Sequence, residues 1–92
     1  MKNQNKITEQ VQDIYEANRH YYEVSGFKKN ATSCLKMSAI IGKLLLPFFN
    51  LVENIDNLEY GTKQKLLYVV RNLQSDLELV RNILEREGGT NQ

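Results

Sequence analysis

TKQKLLYVVRNLQSDLELVRNILERE, residues 62–87, carries the longest regular apolar pattern in the chain. Leu66, Val70, Leu73, Leu77, Val80 and Leu84 recur at spacings of four, three, four, three and four. That spacing predicts a helix with one apolar seam. Thr62 is a candidate N-cap, because its hydroxyl can accept from an unpaired N–H of the first turn. Gly88-Gly89 is a candidate stop, because glycine takes the left-handed C-terminal conformation without steric penalty. Such a helix is roughly 36 Å long. The rest of the chain is expected to pack against it.

Working outward, Ile7, Val11, Ile14 and Tyr21 recur at helical spacing, with Tyr15 and Tyr22 beside them. Asn18 falls within this stripe. It is read as an edge position whose amide reaches solvent, the other reading being a register-setting polar residue. Ser25-Gly26 is expected to break the helix near Val24. Leu35, Ala39 and Leu46 mark one face of a second helix, and Ile40, Ile41, Leu44 and Leu45 make it apolar almost all round. A helix of that kind is usually buried on more than one side. Proline costs little at the first position of a helix and much inside one. Pro47 therefore predicts a new helix, with Phe48, Leu51, Val52 and Ile55 as its inner face; one long kinked helix is the alternative. The expected fold is all-α, an antiparallel up-down four-helix bundle. It is one domain over residues 1–92, with helices at about 6–24, 31–46, 47–57 and 62–87. Residues 88–92 are expected to form a disordered tail.

Ninety-two residues suffice for one modest core. The net charge of +1 argues against a dedicated nucleic-acid partner, since phosphate contacts demand a basic excess. A single cysteine, Cys34, allows no internal disulfide and suits a reducing compartment. The N-terminal residues hold no apolar run of signal-peptide length. Residues 39–52 are interrupted by Lys43, Pro47 and Asn50 and fall short of the roughly 20 apolar residues a bilayer span needs. A cytoplasmic location is expected. Contact of the Ile40–Phe49 stretch with a membrane surface is left open beside simple burial.

The search for chemistry is mostly negative. Asp13, Glu16 and His20 lie on one side of the first helix, but a di-iron bundle site needs Glu-x-x-His pairs that a one-histidine chain lacks. A charged, solvated helix face is the better reading. Cys34 has no second cysteine and no positioned base, so it reads as a small buried or half-buried thiol. No phosphate-binding glycine loop or nucleophile elbow is present. The expectation is no enzyme activity, no cofactor and no metal. Arg19-His20-Tyr21-Tyr22 and Phe27-Lys28-Lys29 mix cations with aromatics, a weak nucleic-acid signal.

A second stripe on the last helix, Tyr68, Asn72, Ser75, Leu79, Asn82 and Arg86, lies nearly opposite the seam. It holds one charge and two large apolar groups, where an exposed face is usually full of charge. It is a candidate partner-binding surface, although scattered exposed apolar residues are also ordinary.

The whole-chain plan resembles the bacteriocin immunity proteins of Gram-positive bacteria, including the pediocin-like group. The likeness rests on NLEYGTKQKLLYVVRNLQSDLELVRNIL, residues 57–84, where a short loop with a tyrosine enters a long Leu-rich helix, and on the first helix, ITEQVQDIYEANRHYY. The resemblance implies a cytoplasmic, non-catalytic protein that protects a cell from its own pore-forming peptide. It implies action where the peptide meets a membrane receptor, the mannose phosphotransferase permease. It adds Tyr60, in the Tyr60-Gly61 loop, to the candidate partner-binding residues. Other classes stay in view: a homodimeric helical interaction module or small adaptor, supported by the four-three repeat and Asn18, and a nucleic-acid-binding regulator. The chain is expected to be a monomer or a weak homodimer.

Overall fold

The computed structural model describes residues 2–23 and 29–90, with side chains placed over 5–23 and 29–86. The described residues form three α-helices and no strand: α1 (Lys2–Glu23), α2 (Ala31–Leu51) and α3 (Tyr60–Thr90). The all-α expectation holds. The expected break at Ser25-Gly26 and the Phe27-Lys28 pair lie outside the described residues, as do Asn91 and Gln92. Each helix packs against both others, and α2 runs antiparallel to α1 and α3.

Three helices stand where four were expected, because α2 continues through Pro47. Proline removes one backbone hydrogen bond and crowds the preceding turn, at a cost of about 3 kcal/mol. Pro47 and the Lys43 it would have bonded both lie on the exposed side, where water can serve the freed carbonyl. Continuing the helix carries Phe48 into the core with no exposed surface, a gain of about 2–3 kcal/mol. The helix ends where the Val52 N–H donates to the Phe48 carbonyl at 3.0 Å. The expected third helix reduces to a short 3-10 turn, Ile55–Asn57, started by the Asn54 side chain accepting from the Asp56 N–H at 3.0 Å. Leu58 follows it and closes that end of the core.

The other helix ends also differ from expectation. Asn30 caps α2, its side chain accepting from the Ser33 N–H at 2.9 Å. The first backbone bond of α3 runs from the Lys63 N–H to the Glu59 carbonyl, at 2.9 Å. Thr62 therefore sits inside the first turn, buried, and does not cap it. Gly88 and Gly89 lie within α3, which runs to Thr90, and do not stop it.

The core runs up the bundle axis from three helical stripes: Ile7, Val11 and Ile14 of α1; Met37, Ile41 and Phe48 of α2; Leu66 and Val69 of α3. The inward face of α3 reads Thr62, Leu66, Val69, Leu73, Asp76 and Val80. It is rotated from the seam expected on sequence by about 40°, a little under half of one residue's 100° step. Val70, Leu77 and Leu84 of that seam are exposed. α2 is turned over as well: Cys34, Met37, Ile41 and Phe48 face in, and Leu35, Ala39 and Leu46 face out.

Candidate functional site

The rotation of α3 has a polar cause. Four side chains on α1 meet four on α3 in a regular ladder. The Lys65 ammonium donates to Gln12 Oε1. Tyr68 meets the Tyr15 ring edge-on, with centroids 5.1 Å apart. Asn72 donates to Asn18 Oδ1 at 2.6 Å, and the Tyr22 hydroxyl donates to Asp76 Oδ2. The rungs ascend both helices together, so α1 and α3 are parallel neighbours. Asn18 and Asp76 have no exposed surface. Burying them without partners would cost several kcal/mol, so they go in only because they meet each other's elements.

Asn18 is thus a register-setting residue and not the solvent-reaching edge position expected for it. Its own amide N–H2 finds no acceptor, a cost of about 1–3 kcal/mol carried in exchange for one defined register.

The ladder's upper end is a small buried cluster. Asp76 takes the Tyr22 hydroxyl on one oxygen, and its other oxygen lies 3.5 Å from the Lys29 ammonium. Lys29 also donates to the Ser75 hydroxyl at 2.5 Å. The Cys34 thiol packs beside Asp76. Burial first, and then the Asp76 charge, push the Cys34 pKa upward, so the sulfur is held as an unreactive thiol. Burial and the Asp76 bond push the Tyr22 hydroxyl far above the ordinary phenol range. Burial and the neighbouring Glu23, which accepts from the Tyr68 hydroxyl at 2.9 Å, raise Tyr68 too. These groups keep their protons at neutral pH. The cluster ties α1 and the start of α2 to α3 as a structural clasp.

The candidate partner-binding residues are therefore split. Tyr68 and Asn72 belong to the inner ladder, Ser75 accepts from Lys29, and Leu79 is half-buried. Asn82 and Arg86 are exposed near the far end of α3, and Tyr60 is exposed at its start. They do not make one continuous outward surface. Asp13, Glu16 and His20 are all exposed, and no three metal-ligating side chains gather among the described residues.

The outward apolar surface lies elsewhere. On α2, Leu35, Ala39, Gly42, Leu46 and Phe49 recur at four, three, four and three and are all exposed. Leu46 shows 62% and Phe49 56% of its surface. A Cβ added at Gly42 would meet nothing within 4 Å, so the stripe is open along its length. Lys36 and Lys43 flank it, and α2 carries no acidic residue. Read continuously through Pro47, α2 is long and apolar enough to cross a membrane by length and composition. The same helix supplies Met37, Ile41 and Phe48 to the core. A break at Pro47 hides this length, and burial on more than one side, expected from its composition, hides its open face. Placing Leu35, Ala39 and Leu46 on one face was correct; the signal missed was that Cys34, Met37, Ile41 and Phe48 make a second, equally regular face.

Comparison with protein-family models, with curated proteins and with solved structures gives no match for this chain.

Proposed function

We propose that this protein is a non-catalytic helical binder that works through the outward face of α2, in the role its sequence resembles: immunity to a pore-forming bacteriocin. The observation that carries the reading is a five-position apolar stripe left open on the most apolar helix of a small bundle, with Leu46 62% and Phe49 56% exposed. Such a stripe, unneeded by the core, suits an apolar partner helix or the interfacial region of a membrane. Lys36 and Lys43 beside it favour an anionic surface, each by about 1 kcal/mol. The implied target is a membrane receptor, or the receptor with its bound peptide. Docking would favour a closed pore through a difference in affinity between its states.

The test is a protection assay in a sensitive Gram-positive host challenged with a panel of bacteriocins. The intact chain is expected to protect against one or a few peptides, and Leu46→Ser/Phe49→Ser to lose protection while remaining folded and expressed. Sensitivity of the host to every peptide with the intact chain expressed would count against immunity. Full protection by the double variant would remove the α2 stripe from the mechanism.

A further inference from the structure

The outer flank of α3 is a second regular apolar surface, and the reading above does not use it. Leu67, Val70, Gln74, Leu77, Arg81 and Leu84 follow at three, four, three, four and three, and all six are exposed. This is the seam spacing that two paired helices share. The flank points away from α1, because Lys65, Tyr68 and Asn72 hold α1 on the other side. At one end it runs into a shallow apolar groove lined by Ile55, Leu58 and Leu66.

We propose that this flank pairs with the same flank of a second copy, the two α3 helices lying antiparallel. Charge decides both the occupant and the direction. Beside the seam run Arg71, Glu78 and Glu85, all exposed, on one edge and about two helical turns from one to the next. Antiparallel pairing about a point between Gln74 and Leu77 sets Leu67 opposite Leu84 of the second copy and Val70 opposite its Arg81. Flanking residues of the same edge then meet, so Arg71 of each copy lies beside Glu78 of the other. Among the described residues Arg71 has no ion-pair partner in its own chain. Arg81 is already held by Glu78 at 3.7 Å and Glu85 at 3.1 Å, so its stem can cover Val70 while its head stays neutralised at the rim. A parallel pair would place Arg81 on Arg81 in the seam and leave Arg71 without an acidic neighbour. The interface is small, on the order of 1,200 Å² in total, at the low end for specific association. The dimer is accordingly weak and concentration-dependent.

Sedimentation equilibrium on the full chain across the micromolar range tests this. A monomer–dimer equilibrium is expected, weakened about tenfold or more by Leu77→Gln, a loss typical of a central contact. Arg71→Glu should weaken it similarly, and Arg71→Glu with Glu78→Arg should restore it. Circular dichroism on each variant keeps unfolding separate from dissociation. A monomer at all concentrations overturns the proposal. So does a dimer indifferent to Leu77→Gln, which would place the interface on another face, or a charge swap that fails to rescue, which would exclude the antiparallel arrangement. The test is independent of whether the chain confers immunity.

Discussion

The seam between α1 and α3 and the outward face of α2 are built from opposite materials. The seam turns inward, yet it holds the half-buried Tyr22 and Asn72 and, with no exposed surface, Asn18 and Asp76. The α2 face is open to solvent, yet it shows Leu35, Ala39, Leu46 and Phe49. Hydrophobicity alone would have exchanged them. The difference teaches that pairing, more than polarity, decides which face goes inward. A buried polar residue is tolerable when a partner waits for it on the neighbouring helix, and an apolar residue stays outside when the core is already full.

The largest expected effect comes from neighbours on opposite sides of this divide. Phe48→Ala should destabilise by about 4 kcal/mol, as for a fully packed aromatic. Phe49→Ala should cost less than about 1 kcal/mol, since its ring is more than half exposed. Urea unfolding of the two variants compares them directly, and equal losses would break the distinction between the faces of α2.

A smaller effect sharpens the ladder. Asn18→Leu and Asn72→Leu should each cost about 1–2 kcal/mol, because each removes the bond between the two amides at a site partly shielded from water. The double variant should cost less than the sum of the two. A double-mutant cycle measures that coupling, and strict additivity would mean that the 2.6 Å contact contributes nothing.

The smallest effect is the pH dependence. Burial and Asp76 raise Cys34 above its ordinary value of 9.0 and Tyr22 above its ordinary value of 10.0. The folded state thus holds these protons more tightly than the unfolded state does. Their contribution is fully present below about pH 9 and declines as pH rises through that range and beyond. Unfolding midpoints should fall on the alkaline side, and Tyr22→Phe should flatten the fall. A profile unchanged by that substitution would exclude Tyr22 as its source.

Much of the scaffold was legible in the residues. Ile7, Val11 and Ile14 at helical spacing gave α1 its inward face, and residues 62–87 gave the long last helix. The orientation of that helix was not legible from its own composition. Its most apolar frame contains Leu77 and Leu84, whereas the frame used contains Thr62 and Asp76. The deciding information lies in α1, where Asn18 and Tyr22 are four apart, matching Asn72 and Asp76. A polar residue inside an apolar stripe was therefore a pointer to its partner helix. Pro47 misled for a different reason: its penalty is local, and the gain from burying Phe48 one residue later is tertiary. Of the candidate contact stripe from Tyr68 to Arg86, Tyr68 and Asn72 turn toward α1, so the six residues do not form one outward surface.

Asp76 and Leu77, adjacent residues of α3, the first buried and the second half exposed, offer the most direct test of which face of α3 turns inward. Urea unfolding of Asp76→Leu and Leu77→Gln, at concentrations where the intact chain is monomeric, puts the two in competition. Removing the carboxylate takes away the acceptor of the Tyr22 hydroxyl and the buried partner of Lys29, so Asp76→Leu should cost about 2–3 kcal/mol. Leu77→Gln should stay within about 0.5 kcal/mol of the intact chain. The reverse, a neutral or stabilising Asp76→Leu beside a strongly destabilising Leu77→Gln, would contradict the account and restore the Leu66, Val70, Leu73, Leu77, Val80, Leu84 seam as the buried face.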